Sequence, residues 1–273
     1  MEKRLRAFDR RLLANSGFLE KRVFEPVPHC WFCSDLSSKD SNEHVFPRWL
    51  LKRLDLEDQI VEPYRILADN MTIGSQRPPH SLSSLTVGNV CTKCNNGWMS
   101  SLEAEAQKFL VEKNRQRMTP EQVEIFARWM TKTAVSLNVS MPYRLLFDEA
   151  TRHAIAFGIP RRVYVFIFKA RKNDHEINWR QGSQPHWILE EDLREMVTDN
   201  MALAYIGYIN LGSVGGIVLR IPQSLDSYKI EVTSNAAQVW PPDSTPTWGS
   251  IPRFSYFTDP YVSVKLSRFL LST

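Results

Sequence analysis

The four cysteines of this chain fall into two pairs, Cys30-Trp31-Phe32-Cys33 and Cys91-Thr92-Lys93-Cys94. A two-residue spacer lets both thiolates of a pair face one ion from a tight turn. Two such pairs complete the tetrahedral four-sulfur shell that Zn²⁺ prefers. Between the pairs lies Glu43-His44, and Asn95 follows the last cysteine directly. An imidazole, with an ordinary pKa of about 6.5, can take a proton from water near neutral pH. A carboxylate and an amide carbonyl are hard oxygen donors that hold Mg²⁺ or Mn²⁺ while leaving places for water and phosphate. Glu43, His44 and Asn95 thus combine a base with a divalent-ion site, which is what phosphodiester hydrolysis requires.

The surrounding elements must bring these residues together. Phe46 to Leu56 reads as a short amphipathic piece, and Ile60 to Ile73 has strand character broken by Pro63 and Asp69-Asn70. Thr86 to Val90 reads as a strand leading into the second cysteine pair, and Met99 to Lys113 as a helix with Leu102, Ala106, Phe109 and Leu110 on one side. Knuckle, strand, then a knuckle opening a helix is the treble-clef plan. Thr119-Pro120-Glu121-Gln122 is a capping box with proline at the first helical position, and it predicts a helix from Pro120 to about Val139. Its apolar stripe is Val123, Phe126, Ala127, Met130, Ala134 and Leu137. Glu124, Arg128 and Lys132 fall opposite.

Beyond Pro160 the texture changes to short runs rich in Val, Ile, Tyr and Phe: Arg162 to Phe168, Trp187 to Glu190, Met201 to Ile209, Ile217 to Ile221, Tyr228 to Thr233 and Ala237 to Trp240. These predict five or six strands of a mostly antiparallel sheet. Gly212, Gly215 and Gly216 lack the Gly-Lys-Ser/Thr ending of a phosphate loop and read as a turn between strands. Tyr261 to Leu271 reads as a short final helix. The fold class expected is α+β, divided into a basic N-terminal segment (1–27), a zinc-centred domain with its following helix (28–140) and a β-rich C-terminal domain (141–273).

A length of 273 residues with 43% hydrophobic content supports a substantial core. The net charge of +4 matches the excess of seven basic over three acidic residues between Met1 and Arg22. That segment could lie along phosphates as a basic helix, or pack as an ordinary amphipathic helix through Leu5, Phe8, Leu12 and Leu13. Charges recur through residue 11, so no export signal is read, and no run reaches the roughly 18 apolar residues of a membrane span. Cysteines read as thiolates fit a reducing cytoplasm.

With Cys30 to Cys33, Glu43-His44-Val45-Phe46-Pro47 and Cys91-Thr92-Lys93-Cys94-Asn95, the stretch from about residue 28 to 113 resembles the HNH nuclease family, the zinc-containing branch of the ββα-metal nucleases. The resemblance implies His44 as general base, Glu43 and Asn95 as ligands of a catalytic Mg²⁺ or Mn²⁺, and Cys30, Cys33, Cys91 and Cys94 as a structural zinc site. The implied partner is nucleic acid, DNA ahead of RNA, with no membrane and with a homodimer left open. Two positions depart from the pattern. The middle asparagine of the family has no counterpart, Asn89 being only two residues before Cys91, and Trp98 replaces a basic residue. Asn96 therefore competes with Asn95 as metal ligand. Arg48 offers a bidentate grip on a scissile phosphate or is a plain surface charge. Trp49 and Trp98 read as hydrophobic supports, and Glu103 as a residue facing solvent or the helix N-terminus. His29, His80, His153, His175 and His186 have no partner pattern. The competing class is a catalytically silent zinc module that binds nucleic acid or protein.

Overall fold

The computed structural model describes residues 29–36, 41–62, 65–66, 72–73, 78–111, 117–140, 145–170, 176–182, 185–190, 193, 197, 200–201, 203–242, 246–254 and 261–268. The basic segment 1–27 and His175 lie outside the described residues. The first half begins with strand β1 (Glu43–His44) and helix α1 (Arg48–Leu54). Asp55 ends α1 in the left-handed conformation, with Lys52 and Arg53 in its last turn where the helix dipole favours cations. Four two-residue strands follow, β2 (Ile60–Val61), β3 (Arg65–Ile66), β4 (Thr72–Ile73) and β5 (His80–Ser81), pairing β2 with β5 and β3 with β4. Strand β6 (Thr86–Val87) then returns antiparallel to β1, with Glu43 opposite Val87 and His44 opposite Thr86.

The second cysteine pair opens a single helical turn, Thr92–Cys94, capped by the Cys91 sulfur accepting from the Cys94 amide. A π-type turn, Asn95–Met99, with Gly97 off helical geometry, joins it to helix α2 (Ser100–Val111). Helix α3 (Pro120–Ser140) begins at the expected capping box: the Gln122 amide donates to Thr119 Oγ1 and the Thr119 amide donates to Gln122 Oε1. Every residue of α3 from Trp129 to Ser140 is buried, so its second half is covered on all sides rather than along one stripe. Three of its buried hydroxyls bond back into the helix, Thr131 to the Ala127 carbonyl, Thr133 to the Trp129 carbonyl and Ser140 to the Leu137 carbonyl. A short helix α4 (Glu149–Ala154) follows, its N-terminus capped by Asp148, whose carboxylate accepts from the Thr151 amide.

The C-terminal half contains β7 (Val163–Ala170), β8 (Ile177–Gly182), β9 (His186–Leu189), β10 (Tyr205–Leu211), β11 (Val214–Arg220), β12 (Tyr228–Ser234), β13 (Ala237–Trp240), β14 (Arg253–Phe254) and β15 (Val262–Arg268). One sheet runs β13-β7-β11-β10-β8, antiparallel throughout, with β14 added parallel to β7. A second runs β12-β15-β9, with β15 and β9 parallel. The fold is α+β and mostly antiparallel.

Successive side chains of a strand point to opposite faces, and β7 shows where each face goes. Val163, Val165 and Ile167 join α3 and the cysteine knuckles in one apolar cluster, whereas Phe166 and Phe168 join Val262, Val264 and Leu266 of β15 in another. The large sheet is therefore sandwiched between α3 and the small sheet. Such a sheet, covered on both faces, tolerates few polar residues, and β11 is buried along its whole length.

Three expectations for the C-terminal half need correction. The C-terminal stretch is strand β15, not a helix, because Val262, Val264 and Leu266 alternate with Ser263, Lys265 and Ser267 to bury one face. Strand β8 was not expected: its Asn178, Arg180 and Gln181 mask the packing of Ile177 and of Trp179, whose ring lies 5.5 Å from that of Phe46. Of the three glycines, only Gly212 (φ 80°) serves the turn between β10 and β11. Gly215 and Gly216 lie inside β11, where a Cβ would meet the Phe168 ring at 2.2 Å and the Met130 methyl at 2.6 Å. They let α3 and a sheet neighbour come close.

Candidate active site

The two cysteine pairs converge although 58 residues separate Cys33 from Cys91, whose sulfurs lie 3.5 Å apart. All four sulfurs fall within 4.8 Å of one another. A tetrahedral ion with bonds of about 2.3 Å needs sulfurs about 3.8 Å apart, so the cluster could hold a metal such as zinc. The knuckles are prepared for thiolates: the Phe32 amide donates to Cys30 Sγ and the Cys94 amide to Cys91 Sγ, each at 3.4 Å. Burial pushes the Cys33 thiol up to about 12 and raises Cys94 as well. Cys91 shifts down, since hydrogen bonds from the Cys94 amide and the neighbouring thiols outweigh its burial. A bound cation removes the mismatch by deprotonating coordinated thiols.

Arg152 of α4 locks the first knuckle in place, its Nε donating to the Trp31 carbonyl at 3.1 Å and its guanidinium lying 5.3 Å from the Trp31 ring centre. Ser34 of the same knuckle donates to Glu149 of α4 and contacts His153 Nε2 at 3.1 Å. His153 thus belongs to knuckle packing. The Trp98 ring packs edge-on against Phe32 with centres 5.8 Å apart, under the guanidinium of Arg128. Trp49 packs against Trp129. Both rings thus pack against the apolar core, and Trp49 also lines the cavity beside it.

Burial alternates along Glu43-His44-Val45, so the two motif residues sit at different depths: Glu43 is buried and His44 half-buried. The Val45 amide continues the pairing by donating to the Leu85 carbonyl. A cavity of about 280 Å³ opens here, lined among others by Glu43, His44, Arg48, Asn95, Asn96 and Glu103. The four candidate residues from the motif reading therefore share one cavity beside the cysteine cluster. Arg48, the exposed first residue of α1, stands on its wall. Asn95 Nδ2 donates to Ser41 Oγ at 3.0 Å, which orients its amide. Asn96 lines the same cavity, so both asparagines stay in contention.

Burial lowers the His44 pKa, and Arg48 and Lys132 act in the same direction while Glu103 opposes them. The neutral imidazole is favoured, the form that accepts a proton. Burial raises Glu43, and so does the charge of Glu103, with Lys132 pulling the other way.

Lys132 is what the motif reading missed. It is 0% exposed, and its Nζ donates to Glu43 Oε1 and, at 2.8 Å, to Glu103 Oε1. Burial would strip its proton, but the two carboxylates outweigh burial and hold its pKa up. Lys132 lies opposite the apolar stripe, as the helical period requires, yet it is buried there, and Glu103 turns toward this ion and the cavity rather than to solvent alone. A signal existed in the sequence. From Trp129 to Ser140 Lys132 is the single charged residue, so the later turns of α3 have no solvated face for it to join.

Oxygen donors lining one cavity with an imidazole and an arginine are a chemically suitable set for a hard divalent ion. Among the described residues, no helix is long and apolar enough to cross a membrane. Comparison with known proteins finds no matching family model, curated protein or solved structure.

Proposed function

We propose that this chain is a metal-dependent endonuclease of the HNH type, hydrolysing phosphodiester bonds in nucleic acid, DNA ahead of RNA. The observation that carries the reading is that His44, Glu43, Arg48 and Asn95 line one cavity beside a four-cysteine cluster. His44, kept neutral by its surroundings, takes the proton of the attacking water at a ring nitrogen. Arg48 faces the phosphate and binds its non-bridging oxygens. Glu43 and the amide oxygen of Asn95 or Asn96 hold the Mg²⁺ or Mn²⁺. When bound, that ion neutralises charge developing on the phosphate and the leaving oxygen. Zinc in the cysteine cluster takes no part in the chemistry. It fixes Asn95 against β1, because the same knuckle that supplies Cys94 begins the turn carrying Asn95.

One observation favours a second reading, a zinc module that binds without cutting: Lys132 already occupies an oxygen of Glu43. The two are separated by incubating zinc-loaded protein with supercoiled plasmid and with RNA, each with and without Mg²⁺. Divalent-dependent nicking or RNA cleavage supports the nuclease. Binding with no cleavage under any metal supports the silent module.

A further inference from the structure

The carboxylate that the proposed reaction assigns to the metal is not free. Lys132 reaches from the middle of α3 to Glu43 and Glu103 together. Both carboxylates line the cavity, whereas the ammonium lies behind them, fully buried and not part of the wall. Removing an ammonium from water is costly, and an apolar side chain would fill this place in the core at lower cost. A lysine here must therefore be explained by what it does to the two acids.

We propose that Lys132 is a positioning residue that acts as the resident counter-ion of Glu43 and Glu103, holding the affinity for a divalent ion low until a phosphodiester arrives with it. This inference rests on the nuclease reading. Glu43 and Glu103 are balanced by Lys132 and by Arg48 on the wall, and the remaining wall residues named above are neutral. A divalent ion alone would enter a nearly neutral site and leave it strongly positive. A phosphodiester brings one negative charge, offsets part of that excess and supplies oxygen ligands. By linkage, each then raises the affinity of the other by the same factor. Lys132 also keeps both carboxylates in fixed rotamers, so the oxygens do not need to be gathered when the ion enters.

The test uses full-length, zinc-loaded protein carrying His44→Ala, so that bound nucleic acid is not consumed. Mn²⁺ is titrated and the free ion read by electron paramagnetic resonance, with and without a short DNA oligonucleotide whose own Mn²⁺ uptake is measured separately and subtracted. A matched RNA oligonucleotide is run in parallel, and coupling with either backbone supports the inference. The expected result is weak Mn²⁺ binding by the protein alone and about tenfold tighter binding with the oligonucleotide. Adding Lys132→Met should tighten Mn²⁺ binding to the protein alone by about tenfold and shrink the effect of the oligonucleotide. A merely structural lysine would change stability and leave the Mn²⁺ isotherm unmoved. If Lys132→Met fails to fold, Lys132→Gln, which keeps a hydrogen-bond donor but no charge, is read in its place with the same two outcomes.

Mn²⁺ affinity indifferent to the oligonucleotide, or unchanged by Lys132→Met with zinc retained, overturns the inference. Should the parent protein cleave with Mg²⁺ in that case, only the role of Lys132 falls. Should it neither cleave nor take up Mn²⁺, the nuclease reading falls with it.

Discussion

Replacing His44 with alanine separates catalysis from architecture at this site. The side chain is half-buried on a two-residue strand whose pairing with β6 runs through the backbone, and it contributes nothing to the cysteine cluster. Deleting it should cost about 1 kcal/mol of stability, the ordinary size for a partly exposed site. For a chain of this length that corresponds to a melting shift of about 2–4 °C. The catalytic loss is much larger, since without a positioned base the rate should fall by about 10²- to 10⁴-fold. That is about 3–5 kcal/mol of barrier, several times the stability term, so the two effects cannot be confused. The assay is single-turnover nicking of supercoiled plasmid at saturating Mg²⁺, with zinc content and thermal melting read on the same preparation. A His44→Ala rate within tenfold of the parent, with zinc intact, would refute the assignment of His44 as base.

Asn95→Ala should weaken cleavage by loosening the divalent ion, so raising Mg²⁺ or Mn²⁺ restores much of the rate; if Asn96→Ala shows this rescue and Asn95→Ala does not, the ligand is Asn96. Cys91→Ser should lower bound zinc well below one ion per chain by metal analysis and lower the melting temperature, because tying together knuckles 58 residues apart contributes folding energy. Retention of full zinc would count against the four-sulfur site. Gly215→Val should destabilise the chain by about 1–3 kcal/mol in denaturant unfolding, since its Cβ would lie 2.2 Å from the Phe168 ring. A neutral result would mean that β11 and Phe168 separate at little cost.

The site was legible where its chemistry is local. Cys30 and Cys33, or Cys91 through Asn95, are each a few residues long, and their spacing alone states a geometry. Helix α3 was legible at its start, where Thr119 and Gln122 cap each other, and in the apolar period that follows. Lys132 was not, because helical periodicity reports one face and says nothing of what packs on the other. There Glu43 and Glu103 arrive from 89 and 29 residues away. Strand β15 failed for a different reason: its alternation of Val, Ser and Lys spans only seven residues, too short a run for periodicity to separate a strand from a helix. Strand β8 fits neither pattern, its polar residues being tolerated at the end of a sheet.

Helix α3 carries one further consequence, for anyone who would transplant the segment with the cysteine cluster and its cavity into another protein. Its Lys132 forms the floor beneath the motif residues, while two residues away Met130 rests against Gly216 of the large sheet. Cutting after the helix would bare Met130 and its apolar neighbours to water, and cutting before it would leave Glu43 and Glu103 facing each other without an ion between them. The segment from 28 to 140 therefore has no clean seam, and a portable version needs the large sheet, or a designed cover of the same shape, to travel with it.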